Sequence, residues 1–69
     1  MRRTDAEDVK ILKHVARRGE LPGDAEHQEF YWDMDWIDYC PEDNNLLIVT
    51  EAGYEHLDRC ERRLRESEA

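Results

Sequence analysis

The sequence predicts a small α+β domain in which a β-hairpin packs against two helices, in the order α-β-β-α. Capped segments with helical periodicity stand near both ends of the chain, and two short stretches rich in aromatic or branched residues lie between them. With 69 residues the chain has room for one hydrophobic core, so residues 1–69 are assigned to a single domain. Such a core rarely leaves more than roughly 3–5 kcal/mol of net stability, which makes a stabilising partner such as a second copy a reasonable expectation.

Residues 4–18 are predicted to form the first helix. Thr4 and Glu7 have the spacing of a capping box, in which each residue satisfies a free backbone N–H of the other. Apolar residues recur along it at three- and four-residue spacing: Val9, Leu12 and Ala16, with Ile11 and Val15 beside them. Gly19 follows directly and is a typical residue for ending a helix.

Residues 51–65 are predicted to form the last helix. Thr50 is a good N-cap, and Glu51 suits the positive end of the helix dipole. The apolar stripe consists of Leu57, Cys60 and Leu64. The last two turns are rich in arginine, which the dipole favours there and which we expect to pair with acids of the same helix, as in Glu55–Arg59 and Glu61–Arg65.

The middle of the chain is predicted to form the hairpin. Phe30, Trp32, Met34 and Trp36 alternate with polar residues, which places them on one face of a strand, and Leu46–Val49 form a second, apolar strand. Residues 41–45 make the turn, and residues 19–27 are a turn-rich connection. A short helix within residues 24–38 is the alternative. The choice decides whether Asp33 and Asp35 point together toward solvent.

Charge is strongly segregated along the chain. The net charge is −8, and the forty residues from Gly19 to Asp58 contain twelve acids and no lysine or arginine. A solvated surface would account for this block, whereas adaptation to high salt fits poorly because the arginines are retained elsewhere. Large aromatic residues are mixed with the acids, and this favours a binding face for a basic partner.

No constellation in the sequence predicts catalysis or a bound cofactor. His56 and Cys60 share a helix face and could ligate a metal with Cys40 or His27, but the paired ligands typical of structural zinc are absent. We therefore expect Cys60 to be a small core residue and His56 to be solvated. Asp33, Asp35 and Asp38 lack the spacing of a calcium loop. The protein is predicted not to be an enzyme and to have no metal site.

The segment Leu46–Leu57 resembles the last wing strand and following helix of winged-helix domains, which commonly run into Leu-Thr-Glu-x-Gly with a leucine four residues later. Here Val49 replaces the first leucine, and Thr50, Glu51, Gly53 and Leu57 match. Residues 11–21 also resemble the first helix of such regulators. The resemblance implies a truncated winged helix, since residues 20–45 are too few for two further helices as well as a strand. It also implies an alternative function, a dimeric DNA-binding transcription regulator that uses its basic ends.

In its small size, its acidity and its lack of a recognisable catalytic constellation, the chain is similar to small phage-encoded inhibitors, including anti-CRISPR proteins. The leading hypothesis is a non-enzymatic protein that binds a basic protein partner, in the manner of a DNA mimic. Direct nucleic-acid binding is disfavoured because duplex affinity comes largely from lysine and arginine. The predicted partner-binding residues are Glu29, Tyr31, Asp33, Asp35, Asp38, Tyr39, Glu42 and Asp43. The face of Phe30, Trp32, Met34 and Trp36 is expected to be core, with Trp36 a further candidate anchor if part of that face is exposed.

The expected location is the cytoplasm. The basic N-terminal residues are followed by no apolar stretch of the kind a secretory signal needs, and the longest apolar run is too short for a membrane span. Two cysteines are too few for a disulfide framework, and together with the missing signal this points to a reducing compartment.

Overall fold

The computed structural model describes residues 4–22 and 28–68 and confirms an α+β domain with an antiparallel hairpin packed on helices. The chain forms α1 (Asp5–Arg18), α2 (Gln28–Asp33), β1 (Ile37–Tyr39), β2 (Leu47–Val49) and α3 (Glu51–Glu68). The strands pair in the register Ile37↔Val49, Asp38↔Ile48 and Tyr39↔Leu47. None of the described helices combines the length and apolar character needed to cross a membrane.

Helix α1 begins and ends where its capping residues predict. The Thr4 hydroxyl accepts a hydrogen bond from the Glu7 N–H, and Gly19 adopts the left-handed conformation (φ 73°) with its N–H bonded to the Val15 carbonyl. The Gly19 carbonyl in turn accepts a hydrogen bond of 2.7 Å from the Leu47 N–H. The end of α1 is therefore attached to the start of β2.

The strand predicted for residues 30–36 is wrong, and the short helix that was its alternative is present as α2. Residues 23–27, which include His27 and much of the predicted turn-rich connection, lie outside the described residues. Tyr31 is fully buried while Met34 is 46% exposed, so the supposed strand face is broken. Asp33 ends α2 and Asp35 lies in the following turn; both are exposed, but not as neighbours on one strand face.

The core lies where α1, the hairpin, α2 and α3 meet. Its buried members are Ile11, Leu12, Val15, Tyr31, Trp36, Ile37, Val49 and Leu57. Ala16, predicted to share the apolar face of α1, is exposed instead. Helix α3 carries buried Leu57 and Cys60 and half-buried Leu64, as its stripe predicts, and runs three residues beyond the predicted end at residue 65.

Gly53 is buried in the first turn of α3, where the helix contacts the hairpin. A Cβ atom at this position would lie 2.2 Å from the Trp36 carbonyl oxygen and 2.6 Å from Val49 Cγ1. Thr50 caps the same turn, since its hydroxyl accepts a hydrogen bond from the Gly53 N–H. The close approach of α3 to the hairpin therefore requires a glycine.

Candidate functional site

The acids predicted to bind a partner all lie on the surface. They belong to α2, the turn after it, β1 and the hairpin loop. Every one of them is exposed: Glu29, Asp33, Asp35, Asp38, Glu42 and Asp43. We call these six acids together with Tyr39 the acidic surface.

Tyr31 was predicted to belong to this surface, and that prediction is wrong. Its side chain is fully buried, and its hydroxyl donates a hydrogen bond of 2.9 Å to Asp8 Oδ1 on α1. Trp36, the further candidate anchor, is 6% exposed and belongs to the core. Tyr31 lies in the helix of residues 28–33, whose geometry turns inward a side chain that the predicted strand would have placed beside Asp33 and Asp35.

Tyr39 is the aromatic residue that the acidic surface presents. It is 56% exposed, and its ring lies 5.1 Å from the ring of half-buried Trp32. Because Trp32 is on α2 and Tyr39 on β1, this contact packs the two elements against each other. Ile48, opposite Asp38 in the hairpin, is also exposed, so the surface combines charge with apolar groups.

Local hydrogen bonds fix the turns that carry the acids. Asp35 has a φ of 60°, a left-handed conformation that aspartate tolerates better than most residues, and its carbonyl accepts a hydrogen bond from the Thr50 hydroxyl. In the hairpin loop, Asp43 Oδ1 accepts a hydrogen bond from the Asn45 N–H. The acidic surface is thus built partly on structured turns.

A second group of polar side chains, which we call the interhelical cluster, lies between α1 and α3: Asp8, His56 and Cys60. Asp8 is 2% exposed and Cys60 is fully buried. His56 Nε2 lies 2.8 Å from Asp8 Oδ2 and 3.3 Å from Cys60 Sγ. The prediction of Cys60 as a buried residue is confirmed, but His56 is not solvated, since its side chain is only 14% exposed.

The surroundings of Cys60 keep its thiol protonated. Burial raises the pKa of Cys60 above its ordinary value, while a hydrogen bond from Arg63 works in the opposite direction. Asp8 and Cys60 approach the same nitrogen of His56, whereas in a catalytic triad the acid and the nucleophile contact different ring nitrogens. The arrangement therefore differs from that of an activated cysteine nucleophile.

Asp8 is the residue of this cluster that was not predicted from the sequence. The signal was present, because Asp8 precedes Leu12 by four residues and Val15 by seven, and so continues the buried stripe of α1. An acid in an apolar stripe needs partners from another element. Tyr31 and His56, 23 and 48 residues away in the chain, supply them, and spacing alone does not reveal contacts of that range.

A groove of about 500 Å³ opens beside His56 between α2 and α3. Its lining includes Phe30 and Met34 from one side and Glu55, Arg59 and Arg63 from the other. The ring of Trp36 stacks on that of His56 at 3.8 Å. One edge of the interhelical cluster thus faces this groove through His56, while Asp8 and Cys60 stay buried.

Two groups of arginines lie near opposite ends of α1, while Lys10 and Lys13 lie between them. Arg17 and Arg18 end α1, next to the start of β2, whereas Arg63 Nε pairs with Asp5 Oδ2 at 3.1 Å at its beginning. The 14 residues of α1 span about 21 Å at 1.5 Å per residue. Within α3 the predicted Glu61–Arg65 pair is replaced by a contact of 3.7 Å between Glu61 and Lys13.

Comparison of the chain with protein-family models, with curated proteins and with solved structures gives no match. The winged-helix and anti-CRISPR resemblances therefore remain predictions, and functional interpretation rests on the geometry of the chain itself.

Proposed function

We propose that the protein is a non-enzymatic interaction protein that binds a basic protein partner through the acidic surface. The observation that carries the proposal is the exposure of all six acids of that surface in a stretch of chain with no lysine or arginine. A surface that carries only negative charge attracts and orients a basic partner over a distance comparable to the Debye length. Without basic residues among them, these acids have few competing partners nearby in the chain.

Tyr39 adds a specific contact to this charge. Partially exposed tyrosines often anchor protein interfaces because a rigid ring contributes a large contact area. Trp32 supports the Tyr39 ring from α2, so the ring is partly ordered before binding. A basic, nucleic-acid-binding protein is the partner class that fits best, since the acids would occupy the lysines and arginines that otherwise contact phosphate. Inhibition by mimicry of DNA, of the kind found in phage-encoded inhibitors, follows from that choice.

Binding is tested with two variants of equal net charge. The first reverses three acids of the surface: Asp33→Lys, Asp38→Lys and Glu42→Lys. Asp35 is left unchanged because its left-handed backbone would be strained by lysine. The matched control reverses three exposed acids elsewhere: Glu20→Lys, Glu55→Lys and Glu66→Lys. Each protein is immobilised and exposed to nuclease-treated lysate at low and high salt, and retained proteins are identified and then purified for affinity measurement.

We expect the wild type and the control to retain the same basic protein at low salt and to release it at high salt. The surface variant should bind that protein at least tenfold more weakly. Equal weakening in both variants would show that net charge alone is responsible and would contradict the assigned surface. In a parallel capture from untreated lysate, retention of duplex DNA by the wild type, lost on Arg17→Glu and Arg18→Glu, would instead favour the dimeric winged-helix regulator.

A further inference from the structure

The interhelical cluster brings three different metal-binding atoms to one place. His56 Nε2 lies 2.8 Å from Asp8 Oδ2 and 3.3 Å from Cys60 Sγ. One ligand atom from each of the three residues lies within 4.8 Å of the other two. This convergence is a tertiary contact between α1 and α3. His56 and Cys60 are one helical turn apart on α3, and Asp8 faces them from α1.

Neighbouring side chains hold these atoms in position. The Tyr31 hydroxyl donates to Asp8 Oδ1 and leaves Oδ2 directed at His56. The Trp36 ring stacks on His56 with an angle of 9° between the planes, which fixes the orientation of the imidazole. Partners of this kind around the ligands are typical of metal sites, where they orient carboxylate and histidine side chains.

From this geometry we propose that Asp8, His56 and Cys60 bind a zinc ion between α1 and α3. One sulfur, one nitrogen and one oxygen suit a borderline-soft ion, whereas Ca²⁺ and Mg²⁺ prefer oxygen ligands only. Ligand atoms around tetrahedral zinc lie about 3.3–3.6 Å apart, given bonds of 2.0–2.3 Å. The observed separations of 2.8 and 3.3 Å need to widen by only a few tenths of an ångström.

Asp5 is a further carboxylate beside Cys60, although it lies outside the three residues whose ligand atoms are all within 4.8 Å of one another. Its Oδ1 lies 3.5 Å from Cys60 Sγ, and it is one helical turn before Asp8 on the same side of α1. Arg63 contacts both Asp5 and Cys60, so it would remain beside the ion as a hydrogen-bond donor to its ligands. Asp5 must shift toward the other three ligand atoms to complete four protein ligands, the number of a closed, structural zinc site, here one that joins the two long helices.

The first experiment measures bound zinc. Purified protein is incubated with excess zinc chloride, desalted, and analysed for metal per chain by elemental mass spectrometry. We expect about one zinc per chain for the wild type, and at least a tenfold lower ratio for Cys60→Ser and for His56→Gln. Matched controls replace the same residue types elsewhere, Cys40→Ser and His14→Gln, and should retain the wild-type ratio. A wild-type ratio near zero, or equal ratios in Cys60→Ser and Cys40→Ser, overturns the proposal.

The second experiment needs no variant and is therefore independent of variant folding. Co²⁺ replaces zinc as a spectroscopic probe and is added to the wild-type protein under reducing conditions. A thiolate ligand should give a strong charge-transfer band in the near ultraviolet, with visible bands of tetrahedral cobalt, and added zinc should remove both. A cobalt spectrum identical to that of the free ion would show that the cluster is held by hydrogen bonds alone and would overturn the proposal.

Discussion

Tyr31 is a buried residue whose polar group has a charged partner, and its hydroxyl is expected to contribute measurably to stability. Tyr31→Phe keeps the ring in the core but removes the donor to Asp8 Oδ1. Hydrogen bonds to charged groups contribute about 1.5–3 kcal/mol, so we expect the free energy of unfolding, measured in urea, to fall by about that amount. Tyr54→Phe, at a residue that is 51% exposed, should change it little. Equal effects of the two substitutions would contradict this account of Asp8.

The raised pKa of Cys60 predicts a loss of stability at alkaline pH in the metal-free protein. The thiol ionises near its ordinary value of 9.0 in the unfolded chain and at higher pH in the folded chain. Stability from this difference is therefore complete below pH 9.0 and is lost as pH rises toward the folded pKa, by about 1.4 kcal/mol per pKa unit.

Urea unfolding at several alkaline pH values, in the presence of a chelator and a reductant, measures this dependence. Cys60→Ala should make the free energy of unfolding depend less steeply on pH, because the titrating group is removed. Cys40→Ser should leave this dependence unchanged. A curve that stays as steep in Cys60→Ala as in the wild type would place the titration elsewhere.

Single residues at helix ends were predictable from sequence, whereas single residues in the interior were less so. Thr4, Gly19 and Thr50 act on backbone groups within four residues, so their roles follow from local spacing. Asp8 and His56 have roles set by each other, across 48 residues. Cys60 was correctly predicted to be buried, but its contact with the polar side chain of Asp5 depends on the approach of α1.

Among the secondary-structure elements, α2 is the one that local pattern misassigned. The alternation of aromatic residues from Phe30 to Trp36 fits a strand, and aromatic residues favour strands in general. The aromatic rings instead pack around one another from a helix and a turn, with Phe30, Tyr31 and Trp36 rings 5.5–6.5 Å apart. Burial of Tyr31 in the core is a tertiary effect that overrides the local preference.

The junction between β2 and α3 predicts that Gly53→Ala destabilises the protein. Alanine is the better helix former by about 1 kcal/mol, but its Cβ would lie 2.2 Å from the Trp36 carbonyl oxygen. Overpacking of this kind typically costs about 1–3 kcal/mol or more, so we expect a net loss in thermal and urea unfolding. Ala52→Gly, at the exposed neighbouring position, measures the effect of helix propensity alone. A more stable Gly53→Ala variant would refute the close approach.

Thr50 caps α3 and also connects this helix to the turn before β1. Its hydroxyl accepts from the Gly53 N–H and donates to the Asp35 carbonyl. Thr50→Ala should therefore lower the free energy of unfolding by about 1–2 kcal/mol, the upper part of the range for N-caps. Thr50→Ser retains the hydroxyl and should recover most of the loss, as urea titrations of the three proteins would reveal. No recovery with serine would mean that the methyl group, and not the cap, matters.

At the scale of the whole molecule, the net charge of −8 predicts that salt stabilises the fold. Most of the acids are exposed and repel one another, and this repulsion is screened as ionic strength rises. We expect Tm, followed by circular dichroism, to rise with sodium chloride; about 1 kcal/mol corresponds to roughly 4–8 °C in a domain of this size. The variant with Asp33, Asp38 and Glu42 reversed should respond less. A Tm that falls with salt would mean that surface ion pairs outweigh the repulsion.

The contact between Asp8 and His56 also has a consequence for synthesis of the chain. When the ribosome has added Val49, α1 and both strands have been translated, but none of the helix that packs along α1 exists. The side of α1 that packs against α3 stays uncovered until α3 has left the exit tunnel. Folding of this domain thus waits for α3, and a nascent chain interrupted within that helix would be an exposed substrate for chaperones and proteases.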